Sequence, residues 1–137
     1  MKSVKILRPL ISLLILSALL LSAVACGKEE PLEKFNRLEA ELTERGFHVI
    51  RYGEGAENAN LQMNVAKGIV CSMEATHGSE YIRVKIFENE EEATIYANAW
   101  KETYELSPNL FAVQDGNTVY YGSRSVYNLI KESYKLP

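Results

Sequence analysis

Side chains with catalytic potential are few in this 137-residue chain. The cysteines are Cys26 and Cys71, the histidines are His48 and His77, and Asp115 is the one aspartate. A thiolate beside a histidine could act as the nucleophile of a hydrolase or take part in redox chemistry. Neither histidine stands at a motif spacing from Cys71, and a solitary cysteine in an apolar strand is usually a small buried hydrophobic residue. We therefore predict no catalytic residue, and a thiol-dependent hydrolase or redox protein using Cys71 is the alternative.

Patterns typical of metal and cofactor sites are also missing from the sequence. His48 falls in a predicted strand and His77 in a predicted turn, without the paired spacing of zinc ligands. The polar loop at residues 53–60 does not alternate Asp and Asn before a closing Glu, as a calcium loop does. No glycine-rich loop has the strand, helix and lysine that surround a phosphate site. We expect neither a metal nor a cofactor.

Five polar side chains form the remaining candidate site. Residues 81–87 alternate, so that Tyr81, Arg83 and Lys85 point away from the apolar residues between them. Ser72 and Glu74 occupy the corresponding positions of the neighbouring strand. A sheet face with these groups can bind a polar polymer, a peptide or another protein, because aromatic and hydrogen-bonding groups are common anchors. The competing interpretation is a solvated face whose charges pair across strands.

Two hairpins and a further strand are predicted to carry these residues. Residues 69–76 and 81–87 alternate around Gly78, which indicates two antiparallel strands joined by a tight turn. Residues 110–113 and 118–121 flank Asp115-Gly116-Asn117, a strong hairpin turn. The aromatic and β-branched residues at 47–52 predict another strand.

Helices are predicted before, between and after these strands. The first begins near Pro31 and ends near Gly46. The second is capped by Asn89, with Glu92 completing a capping box. The inward residues, spaced three or four apart, are Leu32, Phe35, Leu38 and Leu42 in the first helix, Ala93, Tyr96, Ala97, Trp100 and Tyr104 in the second, and Val126, Leu129, Ile130 and Tyr134 in the last. This order predicts an α+β fold, with a mostly antiparallel sheet of four to five strands and helices packed on one face.

The first 27 residues have the pattern of a secretory signal. Basic residues at positions 2, 5 and 8 precede an apolar stretch that starts at Leu10 and ends in Leu21-Ser22-Ala23-Val24-Ala25, followed by Cys26 and Gly27. This ending resembles the lipobox of bacterial lipoproteins. In that family the cysteine is lipidated, the chain is cut just before it, and acyl chains hold the protein on a membrane. An ordinary signal peptide and an uncleaved anchor are the alternatives.

The lipobox resemblance implies a cleaved signal peptide at residues 1–25, a lipidated tether at 26–31 and a single α+β domain at 32–137. The expected location is the extracytoplasmic face of a cell membrane, with the membrane as partner through the acyl chains on Cys26. The mature chain would carry 15 − 3 = 12 Lys plus Arg against 18 Asp plus Glu, a net charge of −6. This acidic balance argues against nucleic-acid binding, which needs clustered Lys and Arg.

A second resemblance covers the domain. The strand 81–87, the acidic start and Ala/Tyr stretch of 90–100, and the hairpin residues Asn117-Thr118-Val119-Tyr120-Tyr121-Gly122 are similar to a pattern in small bacterial lipoproteins of an uncharacterised family. The resemblance implies an extracytoplasmic lipoprotein, from a Gram-positive-like lineage, and brings no catalytic motif. We expect a non-enzymatic binding or accessory module whose partner is an envelope protein, a peptide or a glycan.

Overall fold

Residues 28–137, the part of the chain that the computed structural model describes, form helices and strands in an irregular alternation. In chain order they are α1 (Pro31–Glu44), β1 (His48–Gly53), α2 (Ala59–Met63), β2 (Ile69–His77), β3 (Glu80–Phe87), α3 (Glu90–Thr103), β4 (Leu110–Asp115), β5 (Thr118–Ser123) and α4 (Arg124–Ile130). Cys26 and the predicted signal peptide at residues 1–25 lie outside these described residues. Within 28–137, no helix combines the length and apolar character needed to cross a membrane.

The strands of this region make a five-stranded sheet in the order β1-β2-β3-β5-β4. Each neighbouring pair is antiparallel. Because β5 lies between β3 and β4, those two strands run parallel, and α3 makes the crossover that parallel strands require. The predicted α+β fold with a mostly antiparallel sheet is confirmed.

Local signals in the sequence account for the bounds of α1. Pro31 occupies the first turn, where its missing N–H has no helical partner to lose. At the other end, Gly46 adopts a φ of 89°, its N–H bonds to the Thr43 carbonyl, and the Phe47 N–H bonds to the Leu42 carbonyl. These two bonds form a Schellman motif, which satisfies carbonyls that the helix leaves unpaired.

The helices lie on both faces of the sheet, which differs from the predicted packing on one face. Helices α1 and α4 cover the face that contains Met73, Val84 and Tyr120, whereas α3 covers Val119 and Tyr121 on the opposite face. The reason is the composition of β5, whose apolar side chains point to both sides of the sheet and whose six residues are all buried. A strand that is apolar on both faces needs cover on both faces.

The last helix is shorter than the apolar spacing indicated. Val126 and Ile130 are buried, one turn apart, but Leu129 is 44% exposed and does not point inward as predicted. Instead, the chain turns after Ile130 and brings Tyr134 into the core, where it is 1% exposed. The side chain that completes this end of the core therefore comes from the C-terminal segment.

The described part of the predicted tether is bound to the domain. Glu29 accepts two hydrogen bonds from the Arg37 guanidinium, at 2.7 and 3.0 Å. The same guanidinium lies 4.2 Å from the centre of the Tyr134 ring. Residue 29 is therefore held against α1 and the C-terminal segment.

Candidate functional site

The strand register brings the predicted polar face together. Ser72 pairs with Lys85, and Glu74 pairs with Arg83, across the β2–β3 ladder. Tyr81 pairs with Thr76 at the far end of the same ladder. Directly opposite residues of an antiparallel pair point to the same face of the sheet, so all five predicted residues share one face.

Helix α3 turns half of this face into a groove. The helix packs over β4, β5 and β3 and makes few contacts with β1 and β2, so that its aromatic side chains form a wall beside the polar residues. The resulting cavity has a volume of about 400 Å³. We call it the aromatic groove, and its lining side chains are Tyr52, Asn64, Ser72, Glu74, Arg83, Lys85, Tyr96, Trp100 and Tyr121.

Stacked and hydrogen-bonded rings hold the aromatic wall in place. The Trp100 ring lies 4.5 Å from the Tyr121 ring at an interplanar angle of 22°. The hydroxyls of Tyr96 and Tyr121 are 2.9 Å apart and share a hydrogen bond. Rings fixed in this way present a surface that loses little conformational entropy when a ligand contacts it.

The charges of the groove do not balance. Arg83 Nε donates to Glu74 Oε2 at 2.9 Å, and this pair is neutral as a whole. The ammonium of Lys85 lies 5.9 Å from the centre of the Tyr96 ring and forms no ion pair with any residue in the range 28–137. The groove lining therefore has a net charge of about +1 in a domain that is acidic as a whole.

Tyr81 has a supporting position outside the groove lining. Its hydroxyl lies 3.0 Å from the Tyr104 hydroxyl, which ties the start of β3 to the end of α3. Burial, followed by this hydrogen bond, raises the pKa of Tyr104, so its hydroxyl stays protonated. The Arg83 guanidinium lies 5.4 Å from the centre of the Tyr81 ring. Tyr81 therefore supports the end of α3 through its hydroxyl and the Arg83 guanidinium through its ring.

The first turn of α3 contacts the loop that precedes β2, outside the groove lining. Asn89 Oδ1 accepts a hydrogen bond from the Glu92 N–H at 2.9 Å, as the predicted cap requires. The Glu92 carboxylate does not complete the capping box and instead packs against Gly68, so closely that a Cβ at Gly68 would lie 2.6 Å from Glu92 Oε2. That oxygen is buried and has no hydrogen-bond partner among the described residues.

Cys71 and the histidines are not brought together. Cys71 has no exposed surface, and burial raises the pKa of its thiol to about 11. It pairs with Gly53 of β1, whereas His48 is five residues further along that strand, about 17 Å away. His77 packs against Phe47, with ring centres 5.4 Å apart. A buried thiol with a raised pKa is unsuited to thiolate chemistry.

Metal ligation receives no support in this part of the chain. Among residues 28–137, His, Cys, Asp and Glu side chains do not assemble into any group of three or more that could hold an ion. Asp115 is 2.7 Å from Lys34 in an ion pair that joins the β4–β5 turn to α1. The Asp115 carboxylate is therefore engaged in an ion pair that stabilises the fold.

The aromatic half of the groove was missed by sequence reasoning. The spacing of Tyr96 and Trp100 on α3 predicted core packing, and both rings do pack, but each remains half-buried and lines the groove. Tyr52 and Asn64 come from the far side of the groove. A usable signal was the placement of large rings next to Ala93 and Ala97, since the small residues let the helix sit close to the sheet and push the rings to its side.

No protein-family model, curated protein or solved structure matches the chain. The residues of the groove and their geometry therefore carry the functional argument.

Proposed function

We propose that this protein is a membrane-anchored extracytoplasmic lipoprotein whose α+β domain is a non-enzymatic binding module. The aromatic groove is its ligand site. The observation that carries the proposal is the convergence of fixed aromatic rings with hydroxyl, amide and charged side chains in one cavity. Small-ligand sites are typically cavities of about 300–1,000 Å³ with apolar walls and a few placed polar groups.

The lipobox-like ending at Cys26 supports the anchor. An acyl chain contributes roughly 0.8 kcal/mol per buried methylene, so a membrane holds such a protein without a spanning helix. The Glu29–Arg37 pair leaves only a few residues between Cys26 and the domain. The proposed module would then work close to the membrane surface, on ligands that reach the cell envelope.

Binding to envelope material tests the groove. Protein purified from membranes in detergent is sedimented with insoluble cell-wall material from the bacterium that expresses it. The test variant is Arg83→Gln with Lys85→Gln, and the control is Lys101→Gln with Lys135→Gln, which removes the same charge from exposed positions elsewhere. We expect the groove variant to bind at least about tenfold more weakly, as loss of a central anchor does, and the control to bind like the wild type.

Equal binding by the groove variant, with unchanged melting temperature, would exclude the groove as the site. Intact mass of the same preparation tests the anchor. We expect a chain that begins at Cys26 and carries a diacylglycerol-sized addition, absent from Cys26→Ala. A chain cut at that point without added mass would mean a secreted protein.

A further inference from the structure

We infer that the aromatic groove binds a carboxylated sugar, with Lys85 as the contact for the carboxylate. This inference rests on the proposed function of the groove as a ligand site. It adds the chemical class of the ligand, which follows from the charge, the hydrogen-bonding groups and the shape of the groove.

The charge of the groove selects an anion. Arg83 is already engaged by Glu74 at 2.9 Å, with both side chains 38% exposed, so the pair contributes little net charge. Lys85 lies on the next row of the ladder, paired with Ser72, and its ammonium faces the Tyr96 ring. An ammonium beside a ring and next to a half-closed wall is less hydrated than one at an open surface, which strengthens its attraction for a carboxylate.

The hydrogen-bonding groups favour a sugar over a peptide. A peptide that binds in extended form usually adds a strand to a free sheet edge. The groove floor consists of β2 and β3, which are internal strands whose backbone groups are already paired with neighbours on both sides. A ligand on the groove floor therefore contacts side chains and finds no free backbone hydrogen-bonding groups.

Those side chains suit a polyhydroxylated ring. Ser72 offers a hydroxyl, Asn64 an amide, and the Glu74–Arg83 pair both an acceptor and donors. Tyr96 and Trp100 offer flat apolar surface beside them. A pyranose has hydroxyls around its rim and C–H groups on its faces, so it can satisfy both kinds of surface at once.

The shape of the groove limits the length of the ligand. An open groove of about 400 Å³ holds a sugar of one or two rings and not a long chain laid from end to end. The groove therefore takes a single sugar unit or the end of a glycan.

Two probe sugars isolate the carboxylate. N-acetylmuramic acid is N-acetylglucosamine with a lactyl ether on O3, and this ether carries the carboxylate. Titration calorimetry with the full-length protein in detergent at pH 7 measures both. We expect N-acetylmuramic acid to bind at least about tenfold more tightly, since a hydrogen bond to a charged group has that effect, and its affinity to fall with added salt.

Substitution of Lys85 assigns the contact. Lys85→Met keeps the length of the side chain and removes its charge, and Lys101→Met is the control on the exposed side of α3. We expect Lys85→Met to bring the two sugars to equal affinity and Lys101→Met to preserve the difference. Equal affinities in the wild-type protein, or a difference that survives in Lys85→Met, would overturn the assignment of Lys85.

Failure of this inference can be separated from failure of the proposed function. If neither sugar binds while the envelope sedimentation still depends on Arg83 and Lys85, the groove is a ligand site but not for carboxylated sugars. A peptide with a free carboxylate that competes for the groove, where the sugars do not, overturns the ligand class in the same way. If neither sugar binds and the sedimentation does not depend on Arg83 and Lys85, the proposed function is wrong as well.

Discussion

Cys71 illustrates how burial sets the chemistry of a single residue in this molecule. Its side chain lies in the core beneath α1, with neighbours that include Met73 and Ile86. Burial disfavours the thiolate and raises the pKa from 9.0 to about 11. A group with a raised folded-state pKa contributes stability below its unfolded pKa and loses it as the pH rises through the folded value. This contribution is therefore fully present at neutral pH, begins to fall near pH 9 and is lost as the pH rises through about 11.

Alkylation of Cys71 should require unfolding. In a Cys26→Ala background Cys71 is the one thiol of the chain, and we expect iodoacetamide at pH 8 to leave the native protein almost unmodified over hours. About one thiol in a thousand is ionised at that pH with a pKa of about 11, and the sulfur is inaccessible. The same sample in urea should react within minutes, which is the control. Rapid labelling of the native protein would instead support the alternative of a hydrolase or redox protein that uses Cys71.

Helix α3 depends on its ends as well as on its buried stripe. Its first turn is acidic, with Glu90, Glu91 and Glu92 near the positive end of the helix dipole, and Lys101 lies in the last turn. Ala93 and Ala97 have no exposed surface, which lets the helix approach the sheet closely. Because α3 supplies the wall of the aromatic groove, the shape of the groove depends on where this helix begins.

Removal of the cap should weaken α3 without touching the groove lining. Asn89→Ala loses the bond to the Glu92 N–H, and we expect a loss of about 1 kcal/mol in the free energy of unfolding. Asn98→Ala is the matched control, because Asn98 is exposed inside the same helix, where alanine is the better helix former. Urea unfolding of both variants measures the difference. A loss of the same size in both would mean that the cap contributes nothing specific.

At the scale of the whole molecule, the ends of the domain are joined on the α1 side. Tyr134 donates a hydrogen bond to Glu41 Oε2 at 2.5 Å, across 93 residues of sequence. The Arg37 guanidinium stacks on the Tyr134 ring and binds Glu29 near the start of the described chain. One cluster thus connects the predicted tether, α1 and the C-terminal segment.

Loss of the Tyr134 hydroxyl should make stability less sensitive to acid. Its hydrogen bond is the largest cause of the lowered pKa of Glu41, and a lowered carboxyl pKa stabilises the fold above its unfolded value and ceases to do so as the pH falls. We expect Tyr134→Phe to lose about 1–2 kcal/mol at pH 7 and much less near pH 3. Urea unfolding at both pH values, with Glu41→Gln for comparison, measures this. A deficit of equal size at both pH values would contradict the assignment.

Much of the secondary structure was predictable because its signals are local. Pro31 and Gly46 at the ends of α1, Asn89 before α3, and the turn glycines Gly78 and Gly116 act on their own neighbours, and each stands where the sequence indicated. Strand alternation also placed Ser72, Glu74, Arg83 and Lys85 on one face, because side chains on a pleated strand point alternately to its two sides. The sequence predicted a loop at residues 53–60 and did not predict the short helix α2, since five residues offer too little periodicity.

The sequence alone therefore determined the α+β class, most element ends and the polar half of the candidate site. The tertiary structure decided that α3 covers the face opposite α1, that its rings stand beside Arg83 and Lys85, and that Cys71 is sealed in the core. Caps, turns and strand alternation involve residues a few positions apart, so they can be recognised in the sequence. The side of the sheet on which a crossover helix packs depends on which faces of distant strands still need cover, and that is settled only when all the strands are assembled.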